Sequence, residues 1–244
     1  MKISVTGSSG RMGLAVQEAI AENPDAELAS THDVGEDLAA ALANADAVID
    51  FTLHSFTKEV VKAALASSTK LVIGTTGHSA GELAAIHEAA KTIPVVHAPN
   101  FSIGVNTLFW LTRKAAAILG NERFDIEVTE MHHRHKIDAP SGTARRLLDI
   151  LNEETSTSYE DDVAHGRVGN IGARPSQEIG MHTLRGGDVV GDHTVMFAAD
   201  GERIELTHKA SSRMTFAAGA VQAALWLQDK PAGLYDMQDV LGLK

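Results

Sequence analysis

The sequence predicts an α/β protein in which a doubly wound parallel sheet is joined to a second domain of the α+β class. Two features of the chain support this prediction. Over residues 1–100, short apolar strands alternate with amphipathic helical patterns, which is typical of repeated βα units. After Asn100 the pattern changes: a long helix is followed by strand-like runs with turns between them, which favours antiparallel pairing. We therefore expect a domain boundary near Gly104.

Five parallel strands with intervening helices are predicted in the first hundred residues. The strands are expected at residues 2–6, 27–31, 47–51, 70–75 and 94–98. The clearest helix follows the first strand, and its apolar face comprises Met12, Ala15, Val16, Ala19 and Ile20. The interval between residues 33 and 47 is short, so the helix expected there has one or two turns. Parallel sheets bind ligands at the carboxyl ends of their strands, where the small and polar residues of this half cluster.

The second half combines three helices with four strands. The helices are predicted at residues 103–119, 142–154 and 216–227, and the strands at 125–131, 178–185, 193–199 and 203–208. Asp200-Gly201 suits a tight hairpin turn between the last two strands. Residues 155–176 are polar and contain glycine, which predicts a loop, and a short tail follows the last helix.

The composition is that of a globular protein, with 44% hydrophobic and 22% charged residues. The net charge of −11 argues against binding to nucleic acid or to an anionic membrane, because such contacts depend on clustered lysine and arginine. The chain contains no cysteine, which excludes disulfides, thiolate nucleophiles and cysteine-based metal sites. No apolar run approaches the roughly 20 residues of a membrane helix. We therefore expect a cytoplasmic protein.

A glycine-rich loop with the sequence GSSGRMG, residues 7–13, joins the first strand to the first helix. Glycine at such a turn lets the backbone approach a pyrophosphate, and the helix N-terminus supplies N–H donors. Asp33 follows Gly13 by 20 positions, where a carboxylate can bind the ribose hydroxyl groups of a dinucleotide. The spacing G-x-x-G-x-x-G differs from the usual G-x-G-x-x-G, so the loop alone also fits a glycine turn without a ligand. An acid at this position favours NADH because it repels a 2′-phosphate, although Arg11 and His32 could offset part of that repulsion.

Residues 130–144, with the sequence EMHHRHKIDAPSGTA, combine three histidines and two other cations with two acids. Charged runs of this kind are often solvated loops. A second interpretation is a metal site formed by His132, His133 and His135. Neighbouring residues of a strand point to opposite faces, and the spacing is not that of a zinc-binding helix, so this interpretation is disfavoured.

A third interpretation of the same segment is an acid–base and anion-binding site. Histidine titrates near neutral pH and can transfer a proton, while Lys136 offers both a proton and a positive charge. Gly142 and Thr143 open the next predicted helix, and their N–H groups together with the threonine hydroxyl can hold a carboxylate. On local chemistry this interpretation is favoured over the other two.

The segment also resembles the E-x-H-H-x-x-K-x-D-A-P-S-G-T-A signature of the dihydrodipicolinate reductase family. The resemblance extends over nearly the whole chain. Further segments that resemble family landmarks are residues 7–13, 74–77 (GTTG), 98–102 (APNFS), 185–188 (RGGD) and 208–213 (HKASSR).

The resemblance implies reduction of a cyclic dicarboxylate, 4-hydroxy-tetrahydrodipicolinate or its dehydrated form, to tetrahydrodipicolinate in the diaminopimelate route to lysine. Hydride would come from NADH or NADPH. The implied fold is a Rossmann-type domain at residues 1–103 and an open mixed sheet in a substrate-binding domain at 104–216 that forms a homotetramer. Residues 217–244 would return to the first domain.

Carried over position by position, the resemblance assigns roles to individual residues. His132 matches the catalytic acid–base and Lys136 a proton donor that contacts the substrate. The substrate positions are His133, Gly142 and Thr143. The cofactor positions are Gly7, Ser8, Ser9, Gly10, Arg11, Met12, Asp33, Gly74, Thr75, Thr76, Ala98, Pro99, Asn100 and Phe101. No metal site is expected.

Two other functions remain open at this level. One is a different two-domain NAD-dependent dehydrogenase, similar to aspartate dehydrogenase, which would use the same glycine loop but has no need of residues 138–144. The other is a non-enzymatic NADH sensor, which would bind the cofactor without a proton donor.

Overall fold

The computed structural model describes residues 1–244 and contains eleven strands and nine α-helices. The strands are β1 (Lys2–Thr6), β2 (Glu27–His32), β3 (Ala47–Asp50), β4 (Lys70–Ile73), β5 (Pro94–His97), β6 (Asp125–His132), β7 (Val163–His165), β8 (Ile179–Arg185), β9 (Gly191–Ala199), β10 (Glu202–Ala210) and β11 (Gly233–Tyr235). The helices are α1 (Arg11–Glu22), α2 (Leu38–Leu42), α3 (Thr57–Ser67), α4 (Ala80–Ala89), α5 (Ile103–Leu119), α6 (Gly142–Thr155), α7 (Tyr159–Asp162), α8 (Met214–Trp226) and α9 (Met237–Val240). None of the helices has the length and apolarity needed to cross a membrane.

Residues 1–103 and 213–244 form one compact unit around a six-stranded sheet. All of its strands run parallel, in the order β11-β5-β4-β3-β1-β2. Helices α1 and α8 pack against one face, through side chains such as Val16, Ile20 and Val221. Helices α3 and α4 cover the other face through Val61 and Ile86. The predicted doubly wound parallel sheet is therefore confirmed.

The strand order of this sheet reverses between β1 and β3, because β2 lies on one side of β1 and the later strands lie on the other. At such a reversal the loops after the two strands separate and leave a crevice at their carboxyl ends. The glycine loop follows β1, so the sequence motif lies at the point where sheets of this type bind their ligands.

Residues 104–212 form a second compact unit around the mixed sheet β10-β9-β6-β8-β7. Strands β6, β7 and β8 are parallel, whereas β9 is antiparallel to both β6 and β10. Helices α5 and α6 cover one face, where Leu108, Leu147 and Phe197 are buried together. Side chains that point to the opposite face, such as Thr129 and Met196, remain partly exposed. The predicted open mixed sheet is confirmed.

Two sequence predictions about secondary structure were wrong. The predicted loop at residues 155–176 contains α7 and the three-residue strand β7, and the tail contains β11 and α9. Both strands form by parallel pairing, β7 with β8 and β11 with β5. A segment of three residues is too short to show an alternating pattern, so these strands are determined by their partners and not by local periodicity.

Candidate active site

His132 ends β6 and lies on the covered face of the mixed sheet. The alternation of β6 places Glu130 and His132 on the same face, where their exposed fractions are 0% and 9%. Nδ1 of His132 makes a short hydrogen bond with Oε2 of Glu130. Because this contact occupies Nδ1, Nε2 is the ring nitrogen available for proton transfer.

The carboxylate of Glu130 is held on several sides. Its two oxygens accept hydrogen bonds from the Arg185 guanidinium at 2.9 and 3.0 Å, and Oε1 also accepts one from the N–H of Ser141 at 3.2 Å. Burial raises the pKa of Glu130, but the hydrogen bonds from His132 and Arg185 outweigh it and lower the pKa to about 2. Glu130 is therefore an anion at neutral pH that can stabilise a protonated imidazole.

A second buried histidine, His193, packs edge to face against His132 with ring centroids 5.1 Å apart. Its Nε2 lies 3.1 Å from Oγ of Ser141. Burial, assisted by the neighbouring His132, lowers the pKa of His193 to about 3, so His193 is neutral under physiological conditions. The pair therefore combines one histidine next to an anion with one that stays uncharged.

Gly191 leaves the approach to His132 open. A Cβ atom at this position would lie 3.0 Å from Nε2 of His132 and 3.4 Å from its Cδ2. Any side chain there would displace the imidazole or cover the nitrogen that Glu130 leaves available. Glycine at this point of β9 therefore keeps the proton-transfer atom accessible.

The donor set of Glu130, His132 and His193 was also tested as a metal site, because the three ligand atoms lie within 4.8 Å of one another. Both oxygens of Glu130 are already bound by the Arg185 guanidinium. A cation at this position would have to displace that pair and would lie next to its positive charge. The donor set fits an oriented acid–base pair better than a metal centre.

Lys136 lies in the turn after β6 and is also held in place. Its Nζ is 2.8 Å from Oδ1 of Asp138, and its N–H donates to the carbonyl of His133 at 3.1 Å. Burial raises the pKa of Asp138, but the hydrogen bond from Lys136 brings it below its usual value. Arg185 in addition donates to the carbonyl of Asp138 at 2.7 Å. The turn thus links the lysine to the Glu130–Arg185 pair.

The first turn of α6 lies directly beside this network. Ser141 caps the helix, since its Oγ accepts the N–H of Ala144 at 3.2 Å while its own N–H donates to Glu130. Gly142 is exposed, and the space that a side chain would occupy there is open. The N–H groups at the start of a helix attract anions, so Gly142 and Thr143 lie where a carboxylate can bind.

In the other unit, the glycine loop has the geometry of a nucleotide-binding turn. Gly7 has a φ of +64°, and a Cβ at Gly13 would lie 2.1 Å from the carbonyl oxygen of Gly7. Helix α1 can therefore approach the loop only if residue 13 is glycine. Asp33 accepts hydrogen bonds from the N–H of Ser9 at 2.7 Å and from Oγ of Ser8 at 2.9 Å, which lower its pKa.

A cavity of about 680 Å³ opens beside this loop, a volume in the usual range for small-molecule sites. It brings together Gly7, Ser9, Gly10 and Asp33 with an apolar wall that includes Phe56. The glycine loop and Asp33, the residue after β2, therefore line a cavity that suits the nucleoside end of a dinucleotide.

The remaining predicted cofactor residues lie outside this cavity. Gly74, Thr75 and Thr76 follow β4, and residues 98–101 follow β5, so both segments start at the carboxyl edge of the same sheet. Ala98 and Phe101 are each 1% exposed, so their side chains are buried in the core. Arg11 and Met12 begin α1, and Arg11 is exposed.

Several residues that contribute to this arrangement were missed by the sequence analysis as individual candidates. They are Glu130, Ser141, Arg185, Gly191 and His193. Glu130 and Ser141 lie within the signature segment. Strand pairing reveals two of the others, since Arg185 in β8 lies opposite His132 and His193 in β9 lies opposite Glu130. Gly191 is on β9, two residues before His193.

The buried His193 and the partly buried His97 predict a loss of stability in mild acid. Burial, assisted by neighbouring histidines, lowers the pKa of His193 to about 3 and that of His97 to about 4, from 6.5. Below pH 6.5 the unfolded chain therefore binds protons that the folded chain does not, and the free energy of unfolding falls as the pH falls, by up to roughly 1.4 kcal/mol per pH unit for each histidine.

This expectation is checked by urea unfolding of the wild type and of His97→Asn between pH 7 and 5. The variant should lose part of the pH dependence, since it removes one of the two groups. Equal slopes for the two proteins would contradict the assignment of His97.

Comparison with known proteins places these features in context. The family descriptions "Dihydrodipicolinate reductase, N-terminus" and "Dihydrodipicolinate reductase, C-terminus" match residues 1–101 and 104–241. The 4-hydroxy-tetrahydrodipicolinate reductase of Akkermansia muciniphila is 63% identical, with 100% of this chain and 98% of the relative covered. The enzyme of the same name from Magnetococcus marinus is 47% identical, with 100% and 99% covered.

Solved structures show the same fold. A dipicolinate-bound dihydrodipicolinate reductase from Paenisporosarcina sp. TG-14 superposes with a TM-score of 0.77 at 24% identity, over 98% of each chain. A probable dehydrogenase from Thermotoga maritima superposes with a TM-score of 0.62 at 13% identity, over 100% of this chain and 93% of the other. Because both structures are at most 24% identical to this chain in sequence, these superpositions show that the fold is shared and nothing more.

Proposed function

The chain belongs to the dihydrodipicolinate reductase family, and from this premise we propose that residues 130–143 carry the acid–base and anion-binding chemistry of its reaction. The protein is an NAD(P)H-dependent oxidoreductase that reduces 4-hydroxy-tetrahydrodipicolinate to tetrahydrodipicolinate in the diaminopimelate route to lysine. The observation that carries the proposal is the buried Glu130–His132 pair, whose free nitrogen faces an opening left by Gly191.

Loss of water from the hydroxylated substrate gives the conjugated, dehydrated ring, and reduction of that ring requires hydride at C4 and a proton at the neighbouring carbon. The nicotinamide cofactor supplies the hydride. His132 supplies the proton from Nε2, because Nδ1 is occupied by the Glu130 carboxylate. The anionic Glu130 stabilises the protonated ring before transfer, and Arg185 keeps the carboxylate in position. His193 stays neutral beside the ring and therefore adds no competing charge.

The substrate carries two carboxylates, and this segment offers two kinds of anchor for them. One is the start of α6, where Gly142 and Thr143 present N–H groups and a hydroxyl. The other is cationic: Lys136 has three N–H donors, of which Asp138 takes one. His133, which begins the turn that contains Lys136, is the third proposed substrate-binding position. The ammonium group of Lys136 also carries a proton, so we propose Lys136 as a second proton donor.

The residues that would hold the cofactor lie at the carboxyl edge of the parallel sheet. The loop from Gly7 to Met12 would receive the pyrophosphate and Asp33 the ribose of the adenosine. Gly74, Thr75 and Thr76, together with residues 98–101, would form the other part of the cradle. Ala98 and Phe101 would contribute through backbone groups, since their side chains are buried in the core.

Asp33 predicts a preference for NADH. Its ionised carboxylate would bind ribose hydroxyls and repel a 2′-phosphate. For Asp33→Asn we expect the ratio of kcat/KM for NADPH to that for NADH to rise about 10-fold. The matched control is Asp37→Asn, which removes one negative charge from an exposed position nearby and keeps a capping side chain on α2. A ratio that is unchanged in Asp33→Asn, or equally changed in both variants, would contradict the role of Asp33.

The mixed sheet supports a homotetramer. No helix of the unit covers the face opposite α5 and α6 in the contacts of its core, and alternate side chains of β6 and β9 on that face, including Thr129, Met131, Thr194 and Met196, are partly exposed. Light scattering of the purified protein should therefore give four times the chain mass of 25.9 kDa. The mass of a single chain would contradict this proposal. We also propose a cytoplasmic location, where NADH and NADPH are available.

A coupled assay tests the catalytic proposal as a whole. Aspartate semialdehyde, pyruvate and a separate synthase generate the substrate, and loss of reduced nicotinamide absorbance is followed with NADH and NADPH in turn. Oxidation that depends on the synthase is the expected result. Binding of NADH without any oxidation would instead favour the sensor or a different dehydrogenase.

A further inference from the structure

Asp50, the last residue of β3, is a fully buried carboxylate whose partners are mainly hydroxyl groups. Its exposed fraction is 0%. Oδ1 accepts hydrogen bonds from Oγ1 of Thr6 and from Oγ1 of Thr52, each at 2.7 Å, and Oδ2 accepts one from Oγ1 of Thr75 at 2.9 Å. The N–H of Thr52 adds a longer contact of 3.3 Å. Such a carboxylate loses its hydration on folding, so these donors must replace the lost water.

The three hydroxyl donors belong to three different strand ends. Thr6 is the last residue of β1 and directly precedes the glycine loop, Thr52 follows β3, and Thr75 follows β4. The carbonyl of Asp50 also accepts the N–H of Gly74 at 2.8 Å. Asp50 therefore links the end of β1 to the loop after β4, across the strand that lies between them.

The position of these contacts explains why a side chain is needed here. Pairing of β1 with β3 ends at Thr6 and Asp50, and pairing of β3 with β4 ends at Asp50 and Ile73. Beyond this point the strands provide no further ladder hydrogen bonds, so other contacts must fix the spacing of the loops. A carboxylate only accepts hydrogen bonds, so it requires all three hydroxyl groups to act as donors and fixes their orientation.

We propose that Asp50 is a positioning residue of the cofactor cradle, which holds the glycine loop and the loop at 74–76 at the spacing that a dinucleotide requires. The inference rests on the proposed function, because that function places the cofactor on these loops. Asp50 itself is buried and acts through Thr6 and Thr75.

The most direct test uses Thr6, which is 0% exposed and so cannot touch a bound nucleotide. Thr6→Val removes the hydroxyl with little change of shape, and Thr6→Ser keeps it. The matched control is Thr69→Val, because Thr69 is also 0% exposed but precedes β4, at the opposite edge of the sheet. NADH binding is measured by calorimetric titration, thermal unfolding reports the fold, and kinetics give KM for NADH and kcat.

We expect Thr6→Val to raise the Kd for NADH about 5- to 10-fold, and Asp50→Asn to raise it by about 10-fold or more. Thr6→Ser and Thr69→Val should remain within about 2-fold of the wild type. KM for NADH should follow Kd, while kcat at saturating NADH changes little, a separation that general destabilisation would not produce.

Two results would overturn the inference. One is an unchanged Kd in a folded Thr6→Val protein, and the other is equal weakening in Thr6→Val and Thr69→Val. If Asp50→Asn does not fold, the comparison of the valine and serine variants at position 6 still decides the question. A wild type that fails to bind NADH would contradict the proposed function and not the role of Asp50.

Discussion

Replacing His132 by glutamine should lower kcat at least about 100-fold while the Kd for NADH changes by less than about 2-fold. Glutamine can still form a hydrogen bond with Glu130, but it cannot carry and release a proton from the position of Nε2. The proposed cofactor residues belong to the other compact unit, so we do not expect their geometry to depend on this side chain. Steady-state kinetics with the coupled assay give kcat, and calorimetric titration gives the Kd.

His135→Gln is the matched control for this experiment. It makes the same chemical change three positions away, at an exposed residue of the same turn. We expect it to keep kcat within about 2-fold of the wild type. Full turnover of His132→Gln would remove His132 from the mechanism, and equal losses in both variants would point to a general effect on the turn.

The sequence was sufficient to predict the elements that carry a strong local pattern. Strand β1 and helix α5 begin and end at the predicted residues, since a buried apolar strand before a glycine turn and a long amphipathic helix each have a clear signal. The short helix predicted between β2 and β3 is confirmed as α2, with five residues. Strands β7 and β11 were not predicted, because edge pairing alone defines them.

In the candidate site, too, contacts between residues that are far apart in the sequence could not be predicted. A signature segment identifies His132 and Lys136, but the charge that orients His132 depends on Arg185, which lies 55 residues after Glu130. Likewise, Thr6 and Asp50 are 44 residues apart. Such contacts follow from sheet register, and a single sequence does not give the register of distant strands.

Strand β6 carries two acids with similarly lowered pKa values, and the alternation of the strand places them on opposite faces of the sheet. Glu127 and Glu130 both have a pKa of about 2, because hydrogen bonds, chiefly from arginine and histidine, outweigh the effect of burial. Glu127 points to the partly exposed face and pairs with Arg167 and Arg174. Glu130 points to the covered face and contacts His132. Glu127 also contacts a histidine, His182, at 2.8 Å, so neither a lowered pKa nor a histidine contact distinguishes the two acids. What differs is that the histidine partner of Glu130 lies on the covered face, beside the space left by Gly191.

These contacts also bear on the two alternative functions. A different dehydrogenase or an NADH sensor would need the proposed cofactor cradle after β1 as much as a reductase does. Neither needs a buried acid that fixes one nitrogen of a histidine next to a helix N-terminus. Family membership and this geometry together support the reductase.

Replacing Glu130 by glutamine should lower kcat about 100- to 1,000-fold, because the amide removes the negative charge that stabilises protonated His132 and no longer fixes its orientation. The pH dependence of kcat should also change, because Glu130, with a pKa of about 2, is an anion throughout the neutral range and glutamine is not. Because Arg185 would remain partly buried without its partner, we expect a loss of about 3 kcal/mol in the free energy of unfolding. Steady-state kinetics across pH and urea unfolding measure these effects.

Glu154→Gln separates the catalytic effect from the structural one. Glu154 forms an ion pair with Arg113 in the same unit, but it lies near the end of α6, remote from the first turn at Gly142. Its replacement should lower stability modestly and leave both kcat and the pH profile unchanged. If Glu130→Gln lost stability but kept the wild-type kcat and pH profile, Glu130 would be a structural residue, and the proton-transfer role of His132 would need another source of charge.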